Sequence, residues 1–394
     1  MPTAVLDLDF AHLPREITGL ERYHEAYILI RLQGVPIARI SVPVLEGRID
    51  GVELRTAAVQ AGGWQLWETW LHQSLEWEQI LLAHHPVPLS TIAICTRDRP
   101  HDARRCLEAL SRLEDDGQEL LVIDNCPSTD DTRRVVETFP RVRYVREDIP
   151  GLNVARNRAL KEAAHDIVAF TDDDAAPDRG WLRALVRNFN DPLVYCVTGL
   201  TLPMELETDA QEWHERYSTF SRGFKRRSFE RASINPMAAG QIGAGVNMAM
   251  RKSAMALVGP FDEALDAGTR TRSGGDSEMF SRLLAAGCRI VYEPRAVSWH
   301  RHRRSWTELR KMIHGYGVGV YAAWTRSFLV EHEWSMFRLA SRWFFETQLP
   351  NLFRSAFWRS SPVHFDLGLL ELRGCLAGPW HYLASRAAVR KRIR

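Results

Sequence analysis

Three consecutive carboxylates, Asp172, Asp173 and Asp174, follow an apolar stretch that begins at Val168. The β-branched and aromatic residues of that stretch predict a short buried strand, and Pro177 prevents the chain from continuing as a helix. Adjacent acids repel one another, so a folded protein retains them only where solvent, cationic side chains or a divalent metal offset their charge. An exposed acidic turn is the alternative. The position after a strand favours a metal site, because open α/β sheets bind ligands at the carboxyl ends of their strands.

Strands and helices alternate along the sequence around these acids. Apolar runs predict strands at 90–95, 119–124, 142–145 and 166–170, and apolar spacing predicts helices from about 100, at 131–139 and at 152–164. Such alternation with short links implies a mostly parallel, doubly wound sheet. No G-x-G-x-x-G follows the first strand, so the common dinucleotide-binding fingerprint is absent.

Polar residues cluster directly after three of the predicted strands. They are Thr96, Arg97, Asp98 and Arg99 after the first strand, Asp124, Asn125, Ser128, Thr129 and Asp130 after the second, and the three aspartates after the fourth. Each loop alone is explained by turn chemistry, since Asp, Asn and Ser are common in turns and helix caps. The carboxyl ends of parallel strands meet along one edge, so the three loops together predict a ligand site there.

Seven blocks of the sequence carry a family resemblance. They are TIAICTRDRP, LLVIDNCPSTDDT, GLNVARNRAL, VAFTDDDAAPDRGWL, IGAGVNMAMRKSAMALVGPFDE, GGDSEMFSRLLAAG and VSWHRHRRS. In order and spacing they resemble family 2 glycosyltransferases with the GT-A fold, over about residues 89–305. The resemblance implies a GT-A type α/β sheet. It also implies an inverting, metal-dependent transfer of a sugar from a nucleotide-sugar donor to an acceptor hydroxyl.

The resemblance implies donor-binding roles for several of the polar residues. In the family, the loop after the first strand and the Asp after the second hold the nucleotide base, which points to Thr96, Arg97, Arg99 and Asp124. An ionised Asp can accept from a base N–H, and an arginine can bind the nucleotide. Arg156, in GLNVARNRAL, would lie near the nucleotide and the acids. Pairing with carboxylates inside the domain is its structural alternative.

The acidic run matches the family's D-x-D positions. The resemblance therefore implies that Asp172 or Asp174 binds the Mg²⁺ or Mn²⁺ ion that bridges the donor diphosphate, since these cations prefer oxygen ligands. Asp173 joins Asp172 among the donor-binding residues. His300, in VSWHRHRRS, would complete the metal site or contact the diphosphate, with His302 as its substitute.

Asp276 occupies the position where the family places its general base. Gly275 replaces the Glu that usually precedes this Asp, which affects the expected acceptor contacts more than the base. A structural alternative is that Asp276 or Ser277 caps the helix that begins here. The segment Gly243–Asn247 resembles the family segment that lets acceptor and donor sugar approach the backbone, and an ordinary tight turn is its alternative.

Composition and turn residues divide the chain into three predicted regions. These are a β-rich N-terminal region with a helix (1–86), a GT-A domain (87–305) and a helical C-terminal region (306–394). The helix predicted from Trp64 to Leu82 has an apolar stripe, which we expect to pack into the core. The C-terminal region interleaves aromatic residues with arginines. We expect it to form a cap over the core, with a homo-oligomer interface as a variant. Contact with a membrane surface and a lipid-linked acceptor is the alternative.

The overall composition is that of a soluble globular protein. Of 394 residues, 45% are hydrophobic and 25% charged, and the net charge of +2 argues against a nucleic-acid binder. The N-terminus has no basic segment typical of a signal peptide, no long apolar run occurs, and the six cysteines are scattered. We expect a cytoplasmic protein, with peripheral contact at the inner face of the membrane as an extension. A nucleotidyltransferase and a non-catalytic nucleotide- or glycan-binding relative stay open as alternative functions.

Overall fold

The computed structural model describes residues 2–77, 87–357 and 364–393. Its N-terminal region contains five strands and one long helix. These are β1 (Thr3–Asp9), β2 (Glu16–Ile17), β3 (Glu25–Leu32), β4 (Val35–Pro43), β5 (Ile49–Asp50) and α1 (Gly51–Ser74). Strands β1, β3 and β4 form one sheet with β3 in the middle, parallel to β1 and antiparallel to β4. Asp50 caps α1 by accepting from the backbone N–H groups of Val52 and Glu53 at 2.8 and 3.1 Å.

Most of the apolar stripe predicted on this helix is exposed, so the prediction that the stripe packs into the core is wrong except at Leu66, which packs against the N-terminal core. Trp67 and Trp70 are 62% and 52% exposed. The buried residues of this helix are instead Leu54, Ala58 and Gly62, and Leu54 and Ala58 pack in one apolar cluster with Ile37 and Ile40 of β4. The last residues of the predicted helix, up to Leu82, lie outside the described residues.

Nine strands form the central sheet of the described part of the chain. They are β6 (Ser90–Thr96), β7 (Glu119–Asn125), β8 (Val142–Glu147), β9 (Ile167–Asp172), β10 (Ala175–Pro177), β11 (Val194–Pro203), β12 (Arg227–Phe229), β13 (Asn247–Arg251) and β14 (Arg289–His300). Their order is β10-β14-β11-β13-β9-β6-β7-β8, and β12 pairs with β14 beside this path. Only β10, β12 and β13 run antiparallel to their neighbours. The predicted mostly parallel, doubly wound sheet of GT-A type is confirmed.

Helices cover both faces of this sheet and continue beyond it. In chain order they are α2 (Pro100–Leu110), α3 (Asp131–Val136), α4 (Leu152–Glu162), α5 (Trp181–Val186), α6 (Asp209–Tyr217), α7 (Ala254–Val258), α8 (Gly275–Ala285), α9 (Trp306–Glu331), α10 (Ser335–Trp343), α11 (Leu349–Phe357) and α12 (Phe365–Ile393). Short 3₁₀ segments lie at Phe10–His12, Arg187–Asn190 and Pro236–Gln241, and a π-helical turn lies at Phe344–Gln348. Helices α4 and α8 pack on one face of the sheet, and α2 and α5 pack on the other.

Glycines let the C-terminal helices α9 and α12 pack backbone to backbone. A Cβ at Gly317 would lie 2.2 Å from the Glu371 carbonyl oxygen, and one at Gly374 would lie 2.2 Å from that of His314. Helix α9 also meets the start of α8, where a Cβ at Gly274 would lie 2.5 Å from the Gly319 carbonyl oxygen. The C-terminal region is helical, as predicted. No helix in the described ranges is both long and apolar enough to cross a membrane.

The N-terminal sheet docks directly on the central sheet. Tyr27 and Leu29 of β3 pack with Leu200 and Leu202 of β11 in one buried apolar cluster. The backbone N–H of Thr3 donates to the carbonyl of Leu206 at 2.9 Å, which extends the contact beyond β11. The N-terminal region therefore shares a core with the central domain.

Candidate active site

The carboxyl edge of the central sheet gathers the predicted site residues. Strands β6, β9 and β14 end at Thr96, Asp172 and His300, and their shared direction places these three ends along one edge. Strand β13 runs the other way and starts at this edge, so the glycine-rich segment Gly243–Asn247 before it arrives there too. The expectation that strand ends converge on one site thus follows from the sheet's topology.

The acidic turn is held against the end of β14 by the short strand β10. Ala175 pairs with His300, and the Arg301 N–H donates to the Asp174 carbonyl at 2.9 Å. This pairing brings the Asp174 Oδ1 atom to 3.3 Å from His300 Nε2. The turn between β9 and β10 therefore has a fixed direction toward the cavity.

Cations and a hydroxyl offset the charge of the two buried acids in the turn. Thr96 Oγ1 donates to Asp173 Oδ2 at 2.7 Å, and Arg99 Nη1 lies 3.1 Å from Asp173 and 3.3 Å from Asp174. Arg303 Nη1 approaches Asp174 Oδ2 at 3.4 Å. The exposed acidic turn considered above is therefore wrong for Asp173 and Asp174, which are 5% and 6% exposed.

The three carboxyl groups differ in acidity because their surroundings differ. Burial raises the pKa of Asp172 to about 6 and that of Asp173 to about 7, and the charge of Asp174 adds to both shifts. Burial also acts upward on the pKa of Asp174, but His300, Arg303 and Arg99 together outweigh it and hold that pKa below its usual range. Asp174 is therefore the member of the turn that stays ionised most readily.

Asp276 lies in the first turn of α8 and faces the same cavity. Its Oδ2 atom accepts the Gly245 N–H and its Oδ1 atom accepts the Ser277 N–H, both at 2.7 Å. The helix cap is Gly274, in the left-handed region at φ 98°, so the capping alternatives at Asp276 and Ser277 are wrong. Both bonds to Asp276 fix the direction of its carboxylate.

The glycine-rich segment provides close approach at one position and structural support at another. A Cβ at Gly245 would lie 2.5 Å from Arg156 Nη2 and 3.2 Å from Asp276 Oδ2. Buried Asn247 donates to the carbonyls of Leu200 and Ala296 and accepts from Trp181 Nε1 at 2.8 Å. The segment therefore has a role in the site at Gly245 and a role in sheet packing at Asn247.

Arg156 forms a buried ion pair whose partner, Asp266, was not predicted from the sequence. Arg156 Nη1 lies 2.9 Å from Asp266 Oδ2 and 3.3 Å from Asn153 Oδ1, and both charged partners line the cavity. Arg156 therefore pairs with a carboxylate inside the domain, as the structural alternative predicted, and it also borders the cavity. Asp266 has positive φ (79°) in a loop without a recognisable motif, so no sequence signal pointed to it.

One cavity of about 650 Å³ joins these groups. The walls contributed by the central domain include Arg97, Arg99, Asn125, Arg156, Asp172, Asp173, Asp174, Asp266, Asp276 and His300. The C-terminal helices add Met312, Tyr316, Val320, Trp343 and Glu371. A larger cleft, of about 1330 Å³, lies between the N-terminal region and the central domain and contains none of the predicted site residues.

Residues 91–257 match the family model described as Glycosyl transferase family 2. Residues 91–257 therefore have the sequence of a family 2 glycosyltransferase domain. Two proteins named Pre-mycofactocin glycosyltransferase, from two strains of Mycobacterium tuberculosis, are 30% identical over 254 residues, which are 61% of this chain and 50% of theirs. The chain thus spans about half the length of those curated relatives. A Rhizobium meliloti protein named Succinoglycan biosynthesis protein ExoM is 26% identical over 244 residues, 58% of this chain and 73% of its own.

Solved structures give weaker likenesses to this chain. The structure titled "Mannosyltransferase PcManGT from Pyrobaculum calidifontis in complex with GDP-Man and Mn2+" has a TM-score of 0.48 and 21% identity. The superposition covers 76% of this chain and 86% of the mannosyltransferase chain.

The glycosyltransferase domain offers a two-residue site that suits a divalent cation. Among the described residues, no group of three His, Cys, Asp or Glu side chains is arranged to hold a metal. Asp174 Oδ1 and His300 Nε2 are nevertheless 3.3 Å apart, close to the ~3 Å between adjacent octahedral ligands with bonds of ~2.1 Å. Mg²⁺ commonly takes one or two protein ligands and completes its shell with water and substrate phosphate. The residues therefore fit such an ion, with Asp172 bordering the same cavity.

Of two further predicted donor-binding residues, Arg97 lines the cavity and Asp124 does not. The side chain of Arg97 is 46% exposed. Asp124 is fully buried, accepts from the Tyr144 hydroxyl at 2.9 Å, and has an Oδ1 atom without a partner among the described residues. Its neighbour Asn125 lines the cavity, but that side chain is engaged with the backbone at Ile149 and Gly151.

Glu278, a second acid near the start of α8, is not available to a substrate. It is 1% exposed, and its Oε1 atom lies 2.6 Å from Arg282 Nε and 2.8 Å from Arg326 Nη1. This pairing joins α8 to α9 of the C-terminal region. In the first turn of α8, Asp276 is the carboxylate that faces the cavity.

Proposed function

We propose that this chain transfers a sugar from a nucleotide-sugar donor to an acceptor hydroxyl, with inversion and with a divalent metal at the acidic turn. The observation that carries the proposal is that Asp174, His300 and Asp276 border one cavity at the carboxyl edge of the sheet. The match to the glycosyltransferase family model supports the same reaction class.

The donor diphosphate is assigned to the side of the cavity that contains the acidic turn. Arg99 and Arg303 face this turn through their ion pairs with Asp174, and Arg97 borders it with an exposed side chain. Guanidinium groups form strong, directed hydrogen bonds with phosphate oxygens. Asp174 and His300 would hold the Mg²⁺ or Mn²⁺ ion, with Asp172 beside them. When bound, that ion supplies positive charge that stabilises the leaving diphosphate.

Asp276 is assigned as the general base. Its two backbone hydrogen bonds occupy part of an acceptor capacity of about four lone pairs, so the carboxylate can still accept from an incoming hydroxyl. It takes the proton as the acceptor oxygen attacks the anomeric carbon on the face opposite the departing diphosphate. This single displacement inverts the anomeric centre and requires no nucleophile from the protein.

The acceptor is assigned to the wall that the C-terminal helices form. Met312, Tyr316 and Val320 of α9 and Trp343 of α10 give this wall an aromatic and aliphatic character. Such side chains stack on the apolar face of a sugar ring and also pack against a lipid chain. A glycan or a lipid-linked acceptor fits this wall.

Exposed aromatic residues beside that wall favour contact with an anionic membrane surface. Helix α10 contributes Trp343 to the cavity, and Trp334 at its N-cap and Phe337 within it are exposed, at 66% and 50%. Helix α11 exposes Phe353 and Phe357 at 61% and 71%. Arg338, Arg342 and Arg354 are exposed on the same two helices. Aromatic residues interleaved with arginine suit the interface of an anionic bilayer, where a lipid-linked acceptor would be reached.

Thermal unfolding with a panel of nucleotide sugars, with and without Mn²⁺, tests the proposed donor class. A nucleoside-diphosphate sugar that raises the unfolding midpoint only with metal supports the proposal. Stabilisation by nucleoside triphosphates but by no nucleotide sugar would favour a nucleotidyltransferase and overturn it. The Asp174→Ala variant is the matched control, because it removes a proposed ligand.

A further inference from the structure

A line of buried hydrogen-bonding groups leads away from the proposed metal site. His300 Nδ1 lies 3.1 Å from His302 Nδ1, and His302 Nε2 lies 3.1 Å from Glu215 Oε2. All three residues are less than a tenth exposed. Glu215 lies on α6 and in turn accepts from the Tyr27 hydroxyl at 3.1 Å, with Arg39 at 3.6 Å. The line therefore runs from the N-terminal sheet to the cavity.

The chemistry of these groups determines where the protons lie. A carboxylate only accepts, so His302 must carry its proton on Nε2, where it faces Glu215. Neutral His302 then presents a lone pair at Nδ1, and His300 Nδ1 must donate to it. The other nitrogen of His300, Nε2, points at Asp174 Oδ1, 3.3 Å away, and a proton on it makes His300 the cation that pairs with Asp174. A divalent cation can take the place of that proton, because Nε2 and Oδ1 then each offer it a lone pair.

We propose that Glu215 and His302 are positioning residues that hold His300 in the tautomer whose Nε2 can bind a divalent cation together with Asp174. The inference rests on the proposed metal site and adds the groups that prepare it. It also gives the N-terminal region a part in the site, because Tyr27 and Arg39 hold Glu215 in place. Residues that orient a metal-binding histidine through its second nitrogen typically change metal affinity when they are lost.

A neighbouring histidine shows that packing alone does not require this arrangement. His214 is fully buried, and its ring centroid lies 3.9 Å from that of His302. Neither of its ring nitrogens has a hydrogen-bond partner among the described residues. An imidazole can thus be accommodated next to His302 without hydrogen bonds, whereas His300 and His302 are aligned nitrogen to nitrogen.

The test is the affinity of the full chain for Mn²⁺ alone, measured from the electron paramagnetic resonance signal of the free ion. Glu215→Gln keeps size but lets the amide either accept from or donate to His302, so the tautomer is no longer fixed. His302→Phe keeps a ring and removes both nitrogens. Each variant is expected to bind Mn²⁺ about tenfold more weakly or worse. Glu212→Gln is the matched control, since Glu212 lies one turn earlier on α6 and bonds Thr3 at 2.6 Å. It is expected to bind Mn²⁺ like the wild type.

Two comparisons separate this inference from the proposed function. The unfolding midpoint without metal shows whether a variant is merely less stable, since a purely structural role would lower that midpoint and leave Mn²⁺ affinity unchanged. If His300→Ala binds Mn²⁺ weakly but Glu215→Gln and His302→Phe bind it normally, the positioning role is overturned and the metal site stands. If His300→Ala also binds normally, or the wild type binds no Mn²⁺, the metal site itself is wrong and the inference fails with it.

Discussion

His300 Nε2 lies 3.3 Å from Asp174 Oδ1, because β10 pairs antiparallel with the last residues of β14. This short strand is three residues long, yet it joins the acidic turn after β9 to a histidine far along the chain. Motifs supplied the residue types on each side. The strand pairing sets the distance between the Asp174 and His300 side chains, and that distance suits two ligands of one cation.

Asp174 is the ligand whose loss should affect donor binding most. Asp174→Ala is expected to weaken Mn²⁺-dependent binding of a nucleoside diphosphate about tenfold or more, with the fold intact. Isothermal calorimetry with and without EDTA measures this. Asp178→Asn is the control, since Asp178 lies just beyond the turn and pairs with Arg31 at 2.9 Å. Unchanged binding by the Asp174 variant that EDTA does not affect would contradict the metal site.

Gly245 should tolerate no side chain, because a Cβ there meets both Arg156 and Asp276. Gly245→Ala is expected to displace the Asp276 carboxylate and slow sugar transfer by roughly tenfold or more, since small displacements of a catalytic group are costly. Gly180→Ala is the matched control, because a Cβ at Gly180 meets no atom within 4 Å. Equal transfer rates in the two variants would mean that the close approach at Gly245 does not matter for the reaction.

Much of the central domain could be predicted from the sequence. The strands that end in Thr96 and Asp172 have apolar runs that fix their type, and the parallel topology then fixes which ends meet. The roles of Asp276 and His300 were predicted from the family resemblance, and the structure places both side chains at the cavity.

Other features could not be predicted because they depend on tertiary packing. Trp67 and Trp70 of α1 are exposed, whereas Leu54 and Ala58, earlier on the same helix, are buried against the N-terminal sheet, and local periodicity does not show which residues a sheet will cover. Asp266 lies in an irregular loop and gains its role only from Arg156. Glu215 contacts both Tyr27 and His302, and these three residues lie in separate regions of the chain. No local sequence pattern therefore predicts the contacts.

Glu371 should make stability depend on pH. This carboxyl group of α12 accepts from the Tyr217 hydroxyl at 2.8 Å, and burial raises its pKa above the ordinary value even though that bond and Gln348 act downward. A raised pKa means that the folded state binds the proton more tightly. The contribution of Glu371 to the free energy of unfolding is then fully present below its pKa in the unfolded chain, about 4.3. It is lost as pH rises through the pKa of Glu371 in the folded protein.

Relative to wild type, Glu371→Gln is therefore expected to gain stability as pH rises above about 4. Thermal unfolding of both proteins between pH 4 and pH 8 measures the difference. A difference that stays constant across this range would show that the carboxyl group titrates normally in the folded protein.

The aromatic surface of α10 and α11 should bind anionic vesicles. Flotation at low salt is expected for the wild type and is expected to be lost when Phe353 and Phe357 are both replaced by serine. The control replaces Trp64 and Trp67, which are exposed on α1 of the N-terminal region. Substitutions are preferable to removing the C-terminal tail, because Arg392 pairs with Glu263 and anchors α12. Loss of flotation in the α1 variant alone would place the membrane contact on the other region.

The most direct test of the proposed reaction follows donor turnover by phosphorus NMR in wild type and in Asp276→Asn, with Mn²⁺ and the donor that stabilises the protein. The wild type is expected to release a nucleoside diphosphate as the sugar passes to an acceptor or, slowly, to water. The variant is expected to bind the donor normally but turn it over roughly a hundredfold more slowly, the usual scale for losing a general base. Asn does not disturb the helix, because the cap is Gly274. Release of pyrophosphate, or turnover by Asp276→Asn at the wild-type rate, would contradict an inverting sugar transfer with Asp276 as its base.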